Sequence, residues 1–299
     1  FLADNTIQTL KKISTYADQQ IVYSYWTDDS AIAFSFIQNS YPNTRFISRA
    51  HGWDVYFERH PYHYLPFRSL ISKHLACTFF ISENGLNYFR NLTNVPSTYG
   101  MVSRLGTKNE SVYQVPTKNN QIKLVSCSSM IPLKRIHLII EALSELRIPF
   151  HWYHIGDGPL NTTLRELASH KLAQNTFTFL GQMNNSQVLD VYKNEQIDLL
   201  INVSSTEGIP VSMMEALSFG IPCIGTNVGG VSEIIKENTS GYLLSANPAA
   251  QEVVGRLECH YRLSFEEKNK LSKKAYSFWD SNYNSNTNFP IFIAKLKAL

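Results

Sequence analysis

Short apolar runs alternate with helix-period segments along most of the chain. Before Gly106 the runs Ile21–Trp26, Arg45–Ala50, Thr78–Ser82 and Tyr99–Leu105 read as strands, each followed by a segment long enough for a helix. Ile7–Tyr16 has an amphipathic pattern of its own. After Gly106 a second series predicts strands at Ile122–Ser126, Phe150–Ile155, Thr176–Leu180, Leu199–Val203 and Pro222–Gly225. Helices are predicted between them near Leu133–Arg147, Leu160–Leu172, Ser186–Asn194 and Val211–Phe219. This βα rhythm predicts an α/β chain with parallel sheets, and the second series is long enough for a complete Rossmann-like domain.

The polar stretch Gly106–Ser111 separates the two series and is the expected linker. The expected division is residues 1–108 for a partial first domain and 109–275 for the second, with 276–299 returning to the first. The Asn- and Ser-rich run Ser281–Asn288 reads as a loop. With four strands and no initial Met, the first series is expected to lack upstream strands, the alternative being a naturally small domain.

Composition narrows the function classes. An apolar content of 43% supports a sizeable core, while 17% charged residues and a net charge of +3 give no general attraction to nucleic acid. Cys77, Cys127, Cys223 and Cys259 are widely spaced, suggesting neither a disulfide framework nor a zinc site, and a cytoplasmic setting is expected. No apolar run is long enough to span a membrane. Tyr56–His74 combines aromatic and basic residues, so it is a candidate for peripheral contact with the inner face of a membrane; the alternative is a loop and helix whose rings pack inward. There is no dinucleotide fingerprint, because Asn161 stands where Gly156-Asp157-Gly158-Pro159 would need a further glycine, and there is no phosphate-binding G-x-x-x-x-G-K. Ser/His/Asp catalysis would need a G-x-S-x-G turn, which is also missing.

The chemistry concentrates in Leu199–Leu244. A buried strand is predicted to turn at Thr206-Glu207-Gly208 and enter a helix with Pro210 in its first turn, where a missing N–H costs nothing. The loop then lies at the C-terminal edge of a parallel sheet, where a helix N-terminus offers N–H groups and positive dipole to an anion. Glu207 is expected to project from the loop and Glu215 to lie about two turns into the helix; carboxylates there suit sugar and ribose hydroxyls rather than phosphate. Taken singly, each glutamate could equally be a solvated surface residue.

The assembled pieces resemble glycosyltransferase family 4. They are V-S-C-S-S-M-I-P-L-K-R-I-H-L-I-I-E-A-L from Val125, then I-G-D-G-P-L, F-L-G-Q-M, E-G-I-P-V-S-M-M-E-A and V-G-G-V-S-E-I-I, in that order. R-A-H-G-W-D, F-F-I-S-E-N-G and V-S-R-L-G-T match more loosely in the first part. The resemblance implies a GT-B fold of two Rossmann-like domains, the first incomplete, and a retaining transfer from a nucleoside-diphosphate sugar to a glycan or lipid-linked sugar acceptor. The setting it implies is bacterial surface polysaccharide synthesis.

By the same resemblance, Glu207 would contact the transferred sugar, Gly208, Ile209, Pro210 and Val211 would line the sugar and distal phosphate, and Glu215 would hold the ribose. Lys134 would neutralise the diphosphate, Met183 beside Gln182 would meet the nucleobase, and His51 would reach across the cleft to the donor sugar. Where the family commonly has G-R-L, this chain reads Ser128-Ser129-Met130, so the usual diphosphate arginine is missing and Arg135 is the candidate substitute. The family's Gly-rich loop is expected upstream of the first residue. No metal and no separate cofactor is expected, since no Asp-x-Asp pair stands ready to hold a cation on the phosphates. The alternative is a nucleotide-sugar-binding or scaffold protein of the same fold that has lost turnover.

Overall fold

The computed structural model describes residues 2–15, 21–60, 62–93, 95–96, 98–108, 113, 115–116 and 120–299. The expected linker's 109–111 and Tyr16 of the amphipathic segment lie outside them. The chain divides into two compact units, Phe1–Leu105 with Thr287–Leu299, and Gly106–Asn286.

The first unit runs α1 (Leu2–Ser14), β1 (Ile21–Ser24), α2 (Asp29–Ile37), β2 (Arg45–Ala50), α3 (Arg68–His74), β3 (Cys77–Phe80), α4 (Glu83–Thr93) and β4 (Met101–Val102). Its strands form a parallel sheet in the order β1-β2-β3-β4, with Ser24 beside Ser48 and Ala50 beside Phe80. Ile47 and Phe79 pack with Phe292 on one side of the sheet, while Phe34, Phe46 and Ile71 form a cluster with α2 and α3. β1 stops two residues earlier than its apolar run predicts. The Ser24 hydroxyl donates to the Trp26 carbonyl at 2.7 Å, turning the chain so that Tyr25 and Trp26 leave the sheet. β4 is likewise shorter than expected, because Gly100 just before it has the left-handed φ of +74°.

The second unit carries β5 (Ile122–Cys127), α5 (Ile136–Glu145), β6 (Phe150–Ile155), α6 (Asn161–Lys171), β7 (Phe177–Gly181), α7 (Asn185–Asn194), β8 (Leu199–Asn202) and α8 (Val211–Ser218). It continues with β9 (Cys223–Thr226), α9 (Val231–Ile234), β10 (Gly241–Leu244), α10 (Ala250–Tyr261) and α11 (Phe265–Tyr283), and α12 (Ser285–Lys297) follows. The six strands are all parallel, in the order β10-β9-β8-β5-β6-β7, one more strand than the sequence predicts. Ile122, Leu124, Trp152, Leu199 and Ile201 are fully buried between flanking helices. This burial on both faces is why the strands read as continuous apolar runs instead of alternating ones.

Two expectations fail locally. The helix predicted from Leu133 begins at Ile136, because a short 3-10 turn over Pro132–Lys134 ends at Arg135 with φ 49°, which breaks the α-helical run. The run Ser281–Asn288 is not a loop: α11 reaches Tyr283 and α12 begins at Ser285. Side-chain hydrogen bonds hold several of its asparagines in the helices or at their ends. Asn282 donates to the Phe278 carbonyl at 2.9 Å, Asn284 to Asp280 at 2.7 Å, and the Asn284 side chain accepts from the Asn286 N–H at 3.0 Å.

Candidate functional site

In the second unit's sheet the chain order reverses between β5 and β8: β6 and β7 follow outward on one side, β9 and β10 on the other. The crevice outside the carboxyl ends of the two strands at such a reversal is where open α/β sheets bind ligands. The loop after β5 carries Lys134 and the loop after β8 carries Glu207, so residues 73 apart in sequence become neighbours.

Glu207 is not the solvated loop residue of the alternative reading. It is only 6% exposed, ion-paired with the Lys134 ammonium, and it accepts from the Asn202 amide at 3.3 Å. A carboxylate this buried needs such partners, since an uncompensated charge away from water is costly. α8 starts immediately beyond, with Pro210 as an extended N-cap residue and no side-chain cap; Met213 and Met214 donate their N–H groups to the Pro210 carbonyl at 3.2 and 3.4 Å, and those of Val211 and Ser212 have no partner among the described residues. Gly208, Ile209, Pro210 and Val211 therefore stand at this helix end. The loop is fixed from behind by Gly230, whose N–H donates to the Gly208 carbonyl at 2.9 Å. A side chain at Gly230 would bring its Cβ within 2.6 Å of that same carbonyl.

Glu215 sits on α8 at 9% exposure, and its carboxylate accepts from the Asn185 amide of α7 at 2.6 Å. Burial pushes its carboxyl above the ordinary value of 4.5, and the Asn185 hydrogen bond partly counters this. Met183, half-buried, lies in the short connection between β7 and α7, and Asn184 begins α7 with a reciprocal capping box to Gln187.

Arg135 is placed differently from the diphosphate contact expected of it. Its guanidinium donates to the Val203 carbonyl at 2.6 Å, the Ser204 carbonyl at 2.9 Å, the Ala246 carbonyl at 3.0 Å and the Asn247 side chain at 3.0 Å. It thereby clamps the turn after β8 to the segment after β10. Asp157 acts similarly on the neighbouring edge, its carbonyl accepting from the Met130 N–H at 2.9 Å. Gly156 and Gly158 have φ of +136° and +157°; a Cβ on the first would overlap the Ser128 carbonyl, and on the second would sit 2.8 Å from that of Met130. The G-D-G-P run is thus a close-approach device between two loops.

In the first unit, His51 follows β2. Its ring lies 4.3 Å from Trp26 and 4.6 Å from Tyr25, centroid to centroid; among the described residues neither ring nitrogen has a hydrogen-bond partner, Nδ1 lying 4.0 Å from the Asp54 carboxylate. Burial, and then the nearby Arg49 charge, lowers its pKa to about 4, so the imidazole is neutral at physiological pH. Asp54 holds this arrangement: its carboxylate accepts from the His51 N–H at 2.7 Å and the Thr27 N–H at 2.8 Å. Sequence reasoning named neither Asp54 nor Asn185. The D of H-G-W-D was the available signal for the first; the second had none beyond standing at a helix start.

Tyr56–His74 divides between the two readings made of it. Tyr56, Leu65, Arg68 and Ile71 are buried, whereas Tyr62, His63, Tyr64, Phe67 and Lys73 are exposed. Among the described residues no helix is long and apolar enough to cross a membrane.

A Rossmann-like unit with an ion pair, a helix N-terminus and a second buried carboxylate at its switch point defines the class as an α/β protein with a candidate ligand site. Comparison with known proteins makes the class specific. Residues 108–278 match the family described as glycosyl transferases group 1, and the chain belongs to it. It is similar to N-acetyl-alpha-D-glucosaminyl L-malate synthase of Bacillus anthracis, 30% identical over 40% of this chain and 31% of the relative. It is also similar to the O-antigen biosynthesis glycosyltransferase WbnH of Escherichia coli, 31% identical over 44% and 37%. The chain spans less than half the length of these curated relatives. Among solved structures it resembles Anabaena HepE in complex with UDP and glucose, with a TM-score of 0.79, 16% identity, and coverage of 97% of this chain and 81% of that one. The fold is the GT-B type of glycosyltransferases.

Proposed function

We propose that the chain belongs to a retaining, family 4 glycosyltransferase that moves a sugar from a nucleoside-diphosphate sugar to a glycan or lipid-linked sugar, in bacterial surface polysaccharide synthesis. The observation that carries this reading is the grouping of Lys134, Glu207 and the Val211 and Ser212 N–H groups at the start of α8, at the β5/β8 switch point. The relatives named for O-antigen synthesis and the neighbour solved with UDP and glucose support it.

The chemistry needed is modest. The departing diphosphate gains negative charge in the transition state, and the Lys134 ammonium with the α8 dipole stabilises it there. Glu207 accepts hydrogen bonds from the transferred sugar's hydroxyls, Glu215 from the ribose, and Met183 meets the base. His51, neutral, is the first unit's candidate contact for a sugar hydroxyl. Holding donor and acceptor in register supplies the remaining acceleration.

Incubating the chain with a panel of UDP-, GDP- and ADP-sugars tests the reading. Release of nucleoside diphosphate, abolished in Glu207→Ala and persisting in excess chelator, is the expected result. Binding without release in every case would favour a protein that has lost turnover, and loss of activity in chelator restored by Mg²⁺ would overturn the metal-free phosphate site.

A further inference from the structure

α11 has two unlike faces. Leu271, Ser272, Ala275 and Trp279 are buried on its inner side, where the Ser272 hydroxyl donates to the Gly220 carbonyl at 2.5 Å, just past the end of α8. On its outer side Lys270, Lys273, Lys274 and Ser277 are exposed at i, i+3, i+4 and i+7, the spacing of a single helical stripe. An open groove of about 690 Å³ follows this stripe, lined by α11 and by Thr239 of the turn before β10. The half-buried rings of Phe265 and Phe278 line it toward its two ends, about 20 Å apart along the helix axis. The charge on the groove is unanswered. Among the described residues its lining holds three lysines against one carboxylate, Glu266, and none of the three ammoniums lies within ion-pair distance of a carboxylate; Lys274 donates to the Asn238 carbonyl at 3.2 Å. The arginines of the neighbouring α10 segment do have carboxylates, Arg256 with Glu237 at 2.7 Å and Arg262 with Glu258 at 2.8 Å. Three ammoniums at i, i+3 and i+4 repel one another, and a partner that brings carboxylates relieves the repulsion.

We propose that this groove docks an acidic, amphipathic segment of another polypeptide, its carboxylates on Lys270, Lys273 and Lys274 and an apolar side chain against each of the Phe265 and Phe278 rings. Two features choose this occupant. Both rings are recessed, so a protruding side chain reaches them and the flat surface of a bilayer does not. The groove is also too long for one small anion: about 20 Å accommodates roughly four turns of helix or six residues of extended chain. Docking here leaves the candidate donor site uncovered, because Glu207 and the first turn of α8 lie at the opposite end of that helix from Gly220.

A phage library displaying random peptides of about 16 residues, long enough to span the groove as a helix, tests this. It is selected against the whole chain, and the enriched sequences are synthesised with a fluorescent label for anisotropy titration. Enrichment of Asp or Glu together with Leu, Ile or Phe is expected, with saturable binding that weakens as salt is added. Binding should fall about 10-fold in Lys270→Glu/Lys273→Glu, as two exposed charge pairs turned to repulsion imply. It should also fall when the peptide's own apolar residues are changed to Ser, a test of the phenylalanine rings that leaves the protein intact. Both lysines are exposed, so the double variant should melt as the wild type does and bind nucleoside diphosphate equally well by calorimetry. Enriched peptides that are neutral or basic, acidic ones that bind the double variant as tightly as wild type, or the absence of any saturable binder would overturn the docking site. Equal affinity for the Ser-substituted peptides would overturn it too, reducing the groove to a patch of positive charge. So would sedimentation with phosphatidylglycerol vesicles that the double variant loses, with no acidic peptide enriched, which would give the lysines to a membrane.

Discussion

The two glutamates give the sharpest test of the donor site, because the structure surrounds them differently. Glu215 has one partner, the Asn185 amide at 2.6 Å on Oε1, which leaves its second oxygen for ribose hydroxyls. Replacing it with Gln removes the charge from that hydrogen bond. A charged hydrogen bond is worth about 1.5–3 kcal/mol, so nucleoside diphosphate affinity should fall roughly 10- to 150-fold. Glu207 instead is ion-paired with Lys134. In Glu207→Gln the ammonium is released toward the diphosphate, so affinity for free nucleoside diphosphate should be no weaker than wild type while the rate of sugar transfer drops. Acidity provides a second axis. Burial raises the Glu215 pKa above 4.5, so ionising it costs the unliganded fold nothing below 4.5 and the full amount above the raised value. Nucleotide affinity should accordingly decline on acidification through that raised value in wild type, and not in Glu215→Gln. Calorimetric titration of UDP, GDP and ADP against both variants, with product release measured in parallel, decides the matter. An equal loss of affinity in the two would refute the separation of roles and the placement of Glu207.

Three further expectations concern single residues. The His51 imidazole resonance, identified by its loss in His51→Gln, should titrate with a midpoint of about 4; because its folded pKa lies below the unfolded 6.5, the stability it contributes is full above 6.5 and lost as pH falls toward 4. A midpoint near 6.5 would show that the ring is not buried as described. Gly156→Ala should destabilise the second unit by at least about 2 kcal/mol in thermal melts, since its φ of +136° is closed to alanine and the new Cβ overlaps the Ser128 carbonyl. A melting temperature within experimental error of wild type would refute the close approach. Arg135→Ala should lower melting temperature equally with and without nucleoside diphosphate, as loss of a clamp on carbonyls requires; a drop in nucleotide affinity at unchanged stability would return the guanidinium to the diphosphate.

Much of the second unit was legible because its signals are local. β5, β6, β8 and β9 lie within or close to their apolar runs, and α7 and α8 begin within a residue of their predicted starts because a capping Asn184 and a Pro210 mark them. Failures came where one residue's long-range partner overrides its local preference. Arg135 takes a left-handed conformation in a run that otherwise reads as helix, and only its reach to Val203, Ser204 and Ala246 accounts for the guanidinium's position. β10 was missed because Gly241–Leu244 is four residues long and begins with a glycine. That glycine is required: its φ is +150°, and a Cβ there would overlap the Cys223 carbonyl.

The site itself shows why residues can be named from sequence before their arrangement can. Each loop that contributes to it follows a strand, and the βα rhythm is enough to put all of them on one edge of the sheet. Which loops touch depends on strand order, and the rhythm is silent on that: β5 could have been flanked by β6 and β7 alone, leaving Lys134 remote from Glu207. The crossover that brings β8 against β5, pairing Leu124 with Leu199, creates the ion pair. It also explains why Glu207 is buried and not a solvated loop residue, since its partner Lys134 comes from the other side of the reversal. On the proposed reading, a diphosphate at this switch point would compete with the Glu207 carboxylate for the Lys134 ammonium. In the proposed donor site, binding would therefore be an exchange of partners for Lys134, with Glu207 turning to the sugar hydroxyls in the same event that engages the phosphates.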